Sequence, residues 1–120
     1  MSEHLKVGQE GEKAAADYLQ GKSYAILETN WRYRRYELDL IARHGRFIVV
    51  VEVKTRTGSP LVEAEKSITR EKQRNLIRAA NAYVQLKGFK EEVRFDVVVV
   101  GLVNGKQEIR HIEDAFYPLL

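Results

Sequence analysis

Phe47-Ile48-Val49-Val50-Val51-Glu52-Val53-Lys54 is a continuous apolar run that ends in two charges. Val and Ile suit a pleated, buried surface, so the run reads as a strand covered on both faces. Side chains alternate along a strand. Ile48, Val50, Glu52 and Lys54 therefore share one face, and Val49, Val51 and Val53 share the other. A carboxylate and an ammonium project side by side from the end of a core strand, where desolvating either is costly unless something compensates it. Two explanations stand open. An ion pair or an exit to solvent is the common origin of an isolated Glu-x-Lys; the other is a metal site with a catalytic lysine.

The segment just upstream bears on that choice. Glu37-Leu38-Asp39-Leu40-Ile41-Ala42 reads as a strand, and Arg43-His44-Gly45-Arg46 as the hairpin joining it to the core run, with glycine supplying positive φ. A two-residue His44-Gly45 loop pairs Arg43 with Arg46 and sets Asp39 opposite Val50, on the face of Glu52 and Lys54. Asp39 is then diagonal to Glu52, about 7–8 Å away along the backbone, within reach of one shared ion. Glu37 falls opposite Glu52, a repulsive pairing without a cation. A loop one residue longer reverses this parity.

Further out, the spacing predicts a helix over Val7 to Gln20 ended by Gly21, with Glu12 bordering its apolar stripe. A first-turn glutamate favoured by the helix dipole would account for Glu12 on its own. Tyr24 to Trp31 is a strand. In the following Arg32-Tyr33-Arg34-Arg35-Tyr36, cations alternate with aromatics: Arg32, Arg34 and Arg35 suit phosphates and the rings suit bases. A solvated connecting segment fits the same residues. Thr55 to Ser67, with Gly58, Ser59 and Pro60, reads as a mobile loop.

A second helix is expected over Thr69 to Lys87, with Leu76, Ile77, Ala80, Tyr83 and Val84 inward and Gly88 as its cap. Lys66, Arg70, Arg74 and Arg78 recur every fourth residue, as a phosphate-binding ridge or a solvated face would. Arg94 to Val103 is another core strand, Asn104-Gly105 a type I′ turn, and Lys106 to Ile112 the return strand. Asp96 reads as structural. Tyr117 to Leu120 is an apolar tail.

The 120 residues suit one domain, 1–120, with one core. The net charge of +3 and isoelectric point near 9.2 lean towards an acidic partner such as nucleic acid. The chain lacks cysteine, which excludes disulfides, thiolate zinc sites and cysteine nucleophiles. His4, His44 and His111 have no ligand spacing. Met1-Ser2-Glu3-His4 starts no signal peptide and no apolar run has membrane-spanning length, so the expectation is a cytoplasmic protein without a membrane partner.

Short connections make the first three strands antiparallel, and the helical crossover makes the Arg94 strand parallel to the core run. The expected fold is α/β: a mixed central sheet flanked by helices, in the order αβββαβ plus a C-terminal strand. In this arrangement Glu12, Asp39 and Glu52-x-Lys54 resemble the signature of the PD-(D/E)XK nucleases, whose restriction endonuclease-like fold has the same run of elements. More narrowly, the chain resembles the YraN-type family of small bacterial proteins, predicted relatives of archaeal Holliday junction resolvases. The likeness runs through Gly8-Gln9-Glu10-Gly11-Glu12, Asn30, Glu37 to Ile41, Val51 to Arg56, Lys72 and Arg94-Phe95-Asp96. Tyr36 departs from it, standing where such proteins usually have glycine, and no proline precedes Asp39; the bulk of Tyr36 is expected to crowd an approaching substrate.

The resemblance implies metal-dependent hydrolysis of DNA, with branched or junction DNA as substrate. Asp39 and Glu52, completed by the Val53 carbonyl, would hold Mg²⁺ or Mn²⁺, hard ions that prefer carboxylate oxygen. Glu12 would hold a water or a second ion from the helix side. Lys54 would position the attacking water or stabilise the pentacovalent charge. Arg56 would meet a phosphate, with Lys72 and Arg74 in the DNA-binding surface. A resolvase cuts two strands, so a symmetric homodimer would bring two sites to one junction. Two other readings remain: a nucleic-acid-binding protein that keeps the nuclease fold without turnover, and a small interaction module in which Glu52 and Lys54 are structural.

Overall fold

A computed structural model describes residues 3–57 and 68–116. Its elements are α1 (Glu3–Gly21), β1 (Ala25–Tyr33), β2 (Tyr36–His44), β3 (Phe47–Thr57), α2 (Arg70–Lys87), β4 (Glu92–Val103) and β5 (Lys106–Phe116). The strands form one sheet in the order β1-β2-β3-β4-β5. β3 and β4 are parallel, joined through α2, and the other neighbours are antiparallel. This is the expected α/β architecture of a mixed sheet with two helices. Part of the loop read at Thr55 to Ser67 proves to be strand, since β3 stays paired with β4 through Thr57. Residues 58–67, Lys66 of the basic ridge among them, and the tail from 117 to 120 lie outside the described residues.

The two faces of the core run bury against different helices, as its unbroken apolar character requires. Ile48 and Val50 pack with Leu76, Ile77, Ala80 and Tyr83 of α2, together with Phe95 of β4. Val49 and Val51 pack with Ala15 and Leu19 of α1 and with Val98 and Val100 of β4. The α2 boundaries follow from its caps. The Thr69 side chain accepts from the Lys72 N–H, and Gly88 at φ 71° closes the C-terminus by donating to the Gln85 and Val84 carbonyls. α1 ends differently from the expectation: Gly21 is still helical, and Ser23 takes the left-handed position at φ 71°.

The β2–β3 hairpin turns at Gly45-Arg46, with His44 opposite Phe47, and not at His44-Gly45. Gly45 accordingly carries the positive φ, 58°. The register moves by two positions, so the parity survives: Ile41 faces Val50 and Leu40 faces Val51, the last backbone pair of the two strands. Glu37 is therefore not opposite Glu52. Beyond Leu40–Val51, β2 continues with β1 as far as Tyr36, while β3 continues with β4. The sheet forks there.

Alternation along β2 also slips at the fork. Leu38 and Ile41 bury on the α2 side, whereas Leu40 and Ala42 bury on the α1 side. Across from this slip, Asn30 holds a positive φ of 50°, a region that asparagine tolerates better than most residues. Asp96 is structural, as its sequence context suggested. It is 1% exposed, receives both Arg94 Nε (2.9 Å) and Nη2 (2.8 Å), meets His111 Nε2 at 2.7 Å, and accepts the Asp114 N–H at 3.1 Å. The cluster pins β5 to β4 where their register shifts.

Candidate metal centre at the fork of the sheet

A pocket of about 510 Å³ opens where β2 and β3 part, lined by Gly8, Glu12, Asp39, Glu52, Val53, Lys54, Thr55, Arg56 and Thr57. Every residue assigned from sequence to the chemical centre is in that lining. Asp39 bridges the fork: its Oδ2 accepts the Val53 N–H at 2.9 Å, a bond a continued ladder would have made with backbone. Glu12 arrives from α1. That helix approaches β3 closely because Gly11 faces Thr55; a Cβ at residue 11 would collide with the threonine hydroxyl. The glycine is what lets Glu12 stand over the strand end.

Glu52 is the most deeply set acid of the group, 7% exposed. Lys54 Nζ lies 3.9 Å and Lys72 Nζ 3.7 Å from its Oε1. These are ion-pair separations longer than a hydrogen bond. Its other oxygen, Oε2, is buried and has no hydrogen-bond partner among the described residues. Burial, and then the charge of Asp39, push the Glu52 carboxyl up to about 7, against the pull of Lys72 and Lys54. Burial likewise raises Asp39, opposed first by the Val53 N–H. Glu12 is raised by burial and by Asp39.

Glu37 is the site residue that sequence reasoning missed. Carboxylate oxygens of Glu12, Glu37 and Asp39 lie within 4.8 Å of one another. Asn30, with its amide turned to donate, bridges Glu12 (3.2 Å) and Glu37 (2.9 Å). Arg32 pairs with Glu37 at 2.9 Å and so braces this cluster from its exposed side. The Glu37-x-Asp39 spacing was the available signal; the slip in β2 and the bend at Asn30 were not legible.

These groups fit a divalent cation. The donors are carboxylate oxygens, which suit a hard ion. The raised pKa values and the orphaned Glu52 Oε2 mark a site short of positive charge. Arg34, Arg35 and Arg74 do not join it. Arg34 and Arg35 form the β1–β2 turn, and Arg74 is exposed on α2. Tyr36 is absent from the pocket lining and lies in a second cleft, so it does not crowd the acids. No described helix is long and apolar enough to cross a membrane.

Fold and site together define a small α/β domain with an acidic, cation-ready pocket at a split in its sheet. Residues 11–100 match the uncharacterised protein family UPF0102. A UPF0102 protein of Bacteroides fragilis is 40% identical over 120 residues, covering 100% of this chain and 99% of its own length. A UPF0102 protein of Bacteroides thetaiotaomicron is 41% identical with the same coverage, and one of Flavobacterium johnsoniae is 40% identical, with 98% of each chain covered. The chain belongs to the UPF0102 family.

Proposed function

We propose that the protein is a metal-dependent endonuclease of the PD-(D/E)XK type that hydrolyses phosphodiester bonds in DNA. The observation that carries this reading is the meeting of Glu12 from α1, Asp39 from β2 and Glu52 and Lys54 from β3 in one pocket, whose buried Glu52 Oε2 has no hydrogen-bond partner among the described residues. Asp39, Glu52 and Glu12, with Glu37 beside them, would hold Mg²⁺ or Mn²⁺. That ion supplies the positive charge and water activation that an anionic diester requires.

The chain's own groups do the rest. The Val53 N–H fixes the Asp39 carboxylate before any ligand arrives, so little reorganisation is needed. Lys54 presents an ammonium at the mouth of the site, where negative charge develops on the phosphate oxygens. Glu12, facing it from α1, orients a water on the opposite side. Arg56 lines the same pocket and receives a neighbouring phosphate. Lys72 screens Glu52 from the helix side. Branched or junction DNA, cut by a symmetric homodimer, is the substrate form most consistent with the resemblance to resolvases.

The test uses labelled linear, flap and four-way junction DNA with Mg²⁺, Mn²⁺ or EDTA, alongside Glu52→Gln and Lys54→Ala. Metal-dependent cutting, lost in both variants while DNA binding survives, is the expected result. Binding without cutting under every metal would replace the nuclease with a binding protein of the same fold.

A further inference from the structure

A second cleft, about 680 Å³, lies between the β1–β2 hairpin and α2, lined by Tyr33, Arg34, Arg35, Tyr36, Arg78 and, further along α2, Gln85 among others. Its volume falls within the roughly 300–1,000 Å³ of ligand pockets. The lining contains no acidic residue. Arg32, Arg43 and Arg94, by contrast, are paired with Glu37, Glu91 and Asp96. Among the described residues, none of Arg34, Arg35 and Arg78 is in an ion pair with a carboxylate. Three guanidinium groups thus share one cleft with no counter-charge, an arrangement that an anion relieves.

The rings add a second specificity. Tyr33 and Tyr36 are half-buried, Arg34 lies over the Tyr33 ring at 5.2 Å, and Arg35 over the Tyr36 ring at 5.5 Å. Tyr33 in turn stacks parallel to Trp31, centroids 6.3 Å apart. Arg35, by its hydrogen bond, and Arg78 hold the Tyr36 hydroxyl below its usual pKa. The turn itself carries Arg34 at φ 56° where glycine would be easiest, so the arginine side chain is held there against backbone preference.

We infer that this cleft is a nucleic-acid subsite that takes one phosphate-bearing nucleotide of a single strand, its base against the tyrosine rings and its phosphate among Arg34, Arg35 and Arg78. Aromatic faces accept any base by stacking, and arginine forks hold phosphate bidentately. The placement of the strand rests on the nuclease reading. Lys72 touches Glu52, and Arg78 and Gln85 follow it on α2 by about 9 and 20 Å at 1.5 Å per residue. The exposed Arg74 lies between, on the face of Arg78. A strand leaving the acidic pocket along α2 would reach the cleft on the order of three to six nucleotides away.

Trp31 is the chain's one tryptophan and stacks on Tyr33, so its fluorescence reports on the cleft. The wild-type protein in EDTA is titrated with dTMP, thymidine, inorganic phosphate, a single-stranded 12-mer and a blunt duplex of equal length. Expected results are a Trp31 change with dTMP and the 12-mer but not with thymidine, at least tenfold tighter binding of the 12-mer than of duplex or dTMP, and tenfold weakening by Arg78→Ala. Arg34→Gly should weaken binding severalfold while the melting temperature holds or rises, which a purely structural arginine would not produce. Equal binding of duplex and single strand, dTMP binding that the 12-mer does not improve, or affinity undiminished in both variants would overturn the subsite. The assay contains no metal, so a failure of cutting leaves it standing, and cutting without this binding removes the subsite alone.

Discussion

The Val53 N–H donates to Asp39 Oδ2 at 2.9 Å across the point where β2 and β3 separate. A side chain there takes the place of a backbone carbonyl, and the consequence is a carboxylate fixed beside Glu52 before any cation arrives. The price is electrostatic: the half-buried Asp39 and the buried Glu52 share a pocket, and among the described residues Lys54 and Lys72 are the cations paired with Glu52. Function-bearing strain of this kind is commonly held by the rest of the fold.

Glu52→Gln should therefore stabilise the metal-free protein while abolishing cutting. Glu52 is raised from 4.5 to about 7 in the folded state. The native protein thus holds its proton longer than the unfolded chain. Its contribution is fully present below pH 4.5 and is lost as pH rises through about 7, an effect of up to about 3 kcal/mol. Urea unfolding in EDTA at pH 5 and pH 8 should show wild-type stability falling between them, with a smaller fall in the variant. Equal pH dependence in both proteins would contradict the burial argument.

Lys54→Ala should lower the cutting rate by about 10²–10³-fold, the usual loss for one charge-stabilising donor. Lys72→Ala, which removes the other cation near Glu52 but not one at the pocket mouth, should cost less. Single-turnover kinetics with saturating Mg²⁺ separate the two; a larger loss for Lys72 would reverse the roles assigned to them.

Gly11→Ala should destabilise the fold by about 1–3 kcal/mol through overpacking against Thr55. Adding Thr55→Ala removes the hydroxyl and methyl that the new Cβ would meet, and should recover most of the loss. Gly8→Ala, with nothing within 4 Å of its added carbon, is the control. A double-mutant cycle in urea measures the coupling, and strict additivity would mean α1 does not lie as close to β3 as described.

Asp96→Asn should cost about 3–5 kcal/mol, because Arg94 would be left buried without its carboxylate. Burial opposes ionisation of Asp96 most strongly, yet hydrogen bonds from His111, Arg94 and the Asp114 N–H together hold it below its ordinary 3.8. The stability from this ionisation is present above pH 3.8 and drains as pH falls through the lower folded value. An acid titration followed by circular dichroism should show the wild type losing structure in that range, with less pH dependence left in the variant.

Local sequence determined much of this protein by itself. The unbroken Phe47–Val51 run demanded cover on both faces. Thr69, Gly88 and Asn104-Gly105 carried their own backbone instructions; strand alternation, a local property, set Asp39 on the face of Glu52 and Lys54, and Glu12 joined them only through the resemblance to the nuclease signature. Even a hairpin misplaced by one residue on each side left that parity intact. Only the tertiary structure decided the fork beyond Leu40–Val51, the entry of Glu37 and Asn30, the bracing of Arg32, and the gathering of Arg34, Arg35 and Arg78 around two tyrosines. Each of these depends on where separate segments meet, and pairing energies between distant residues leave no periodicity in the chain to read.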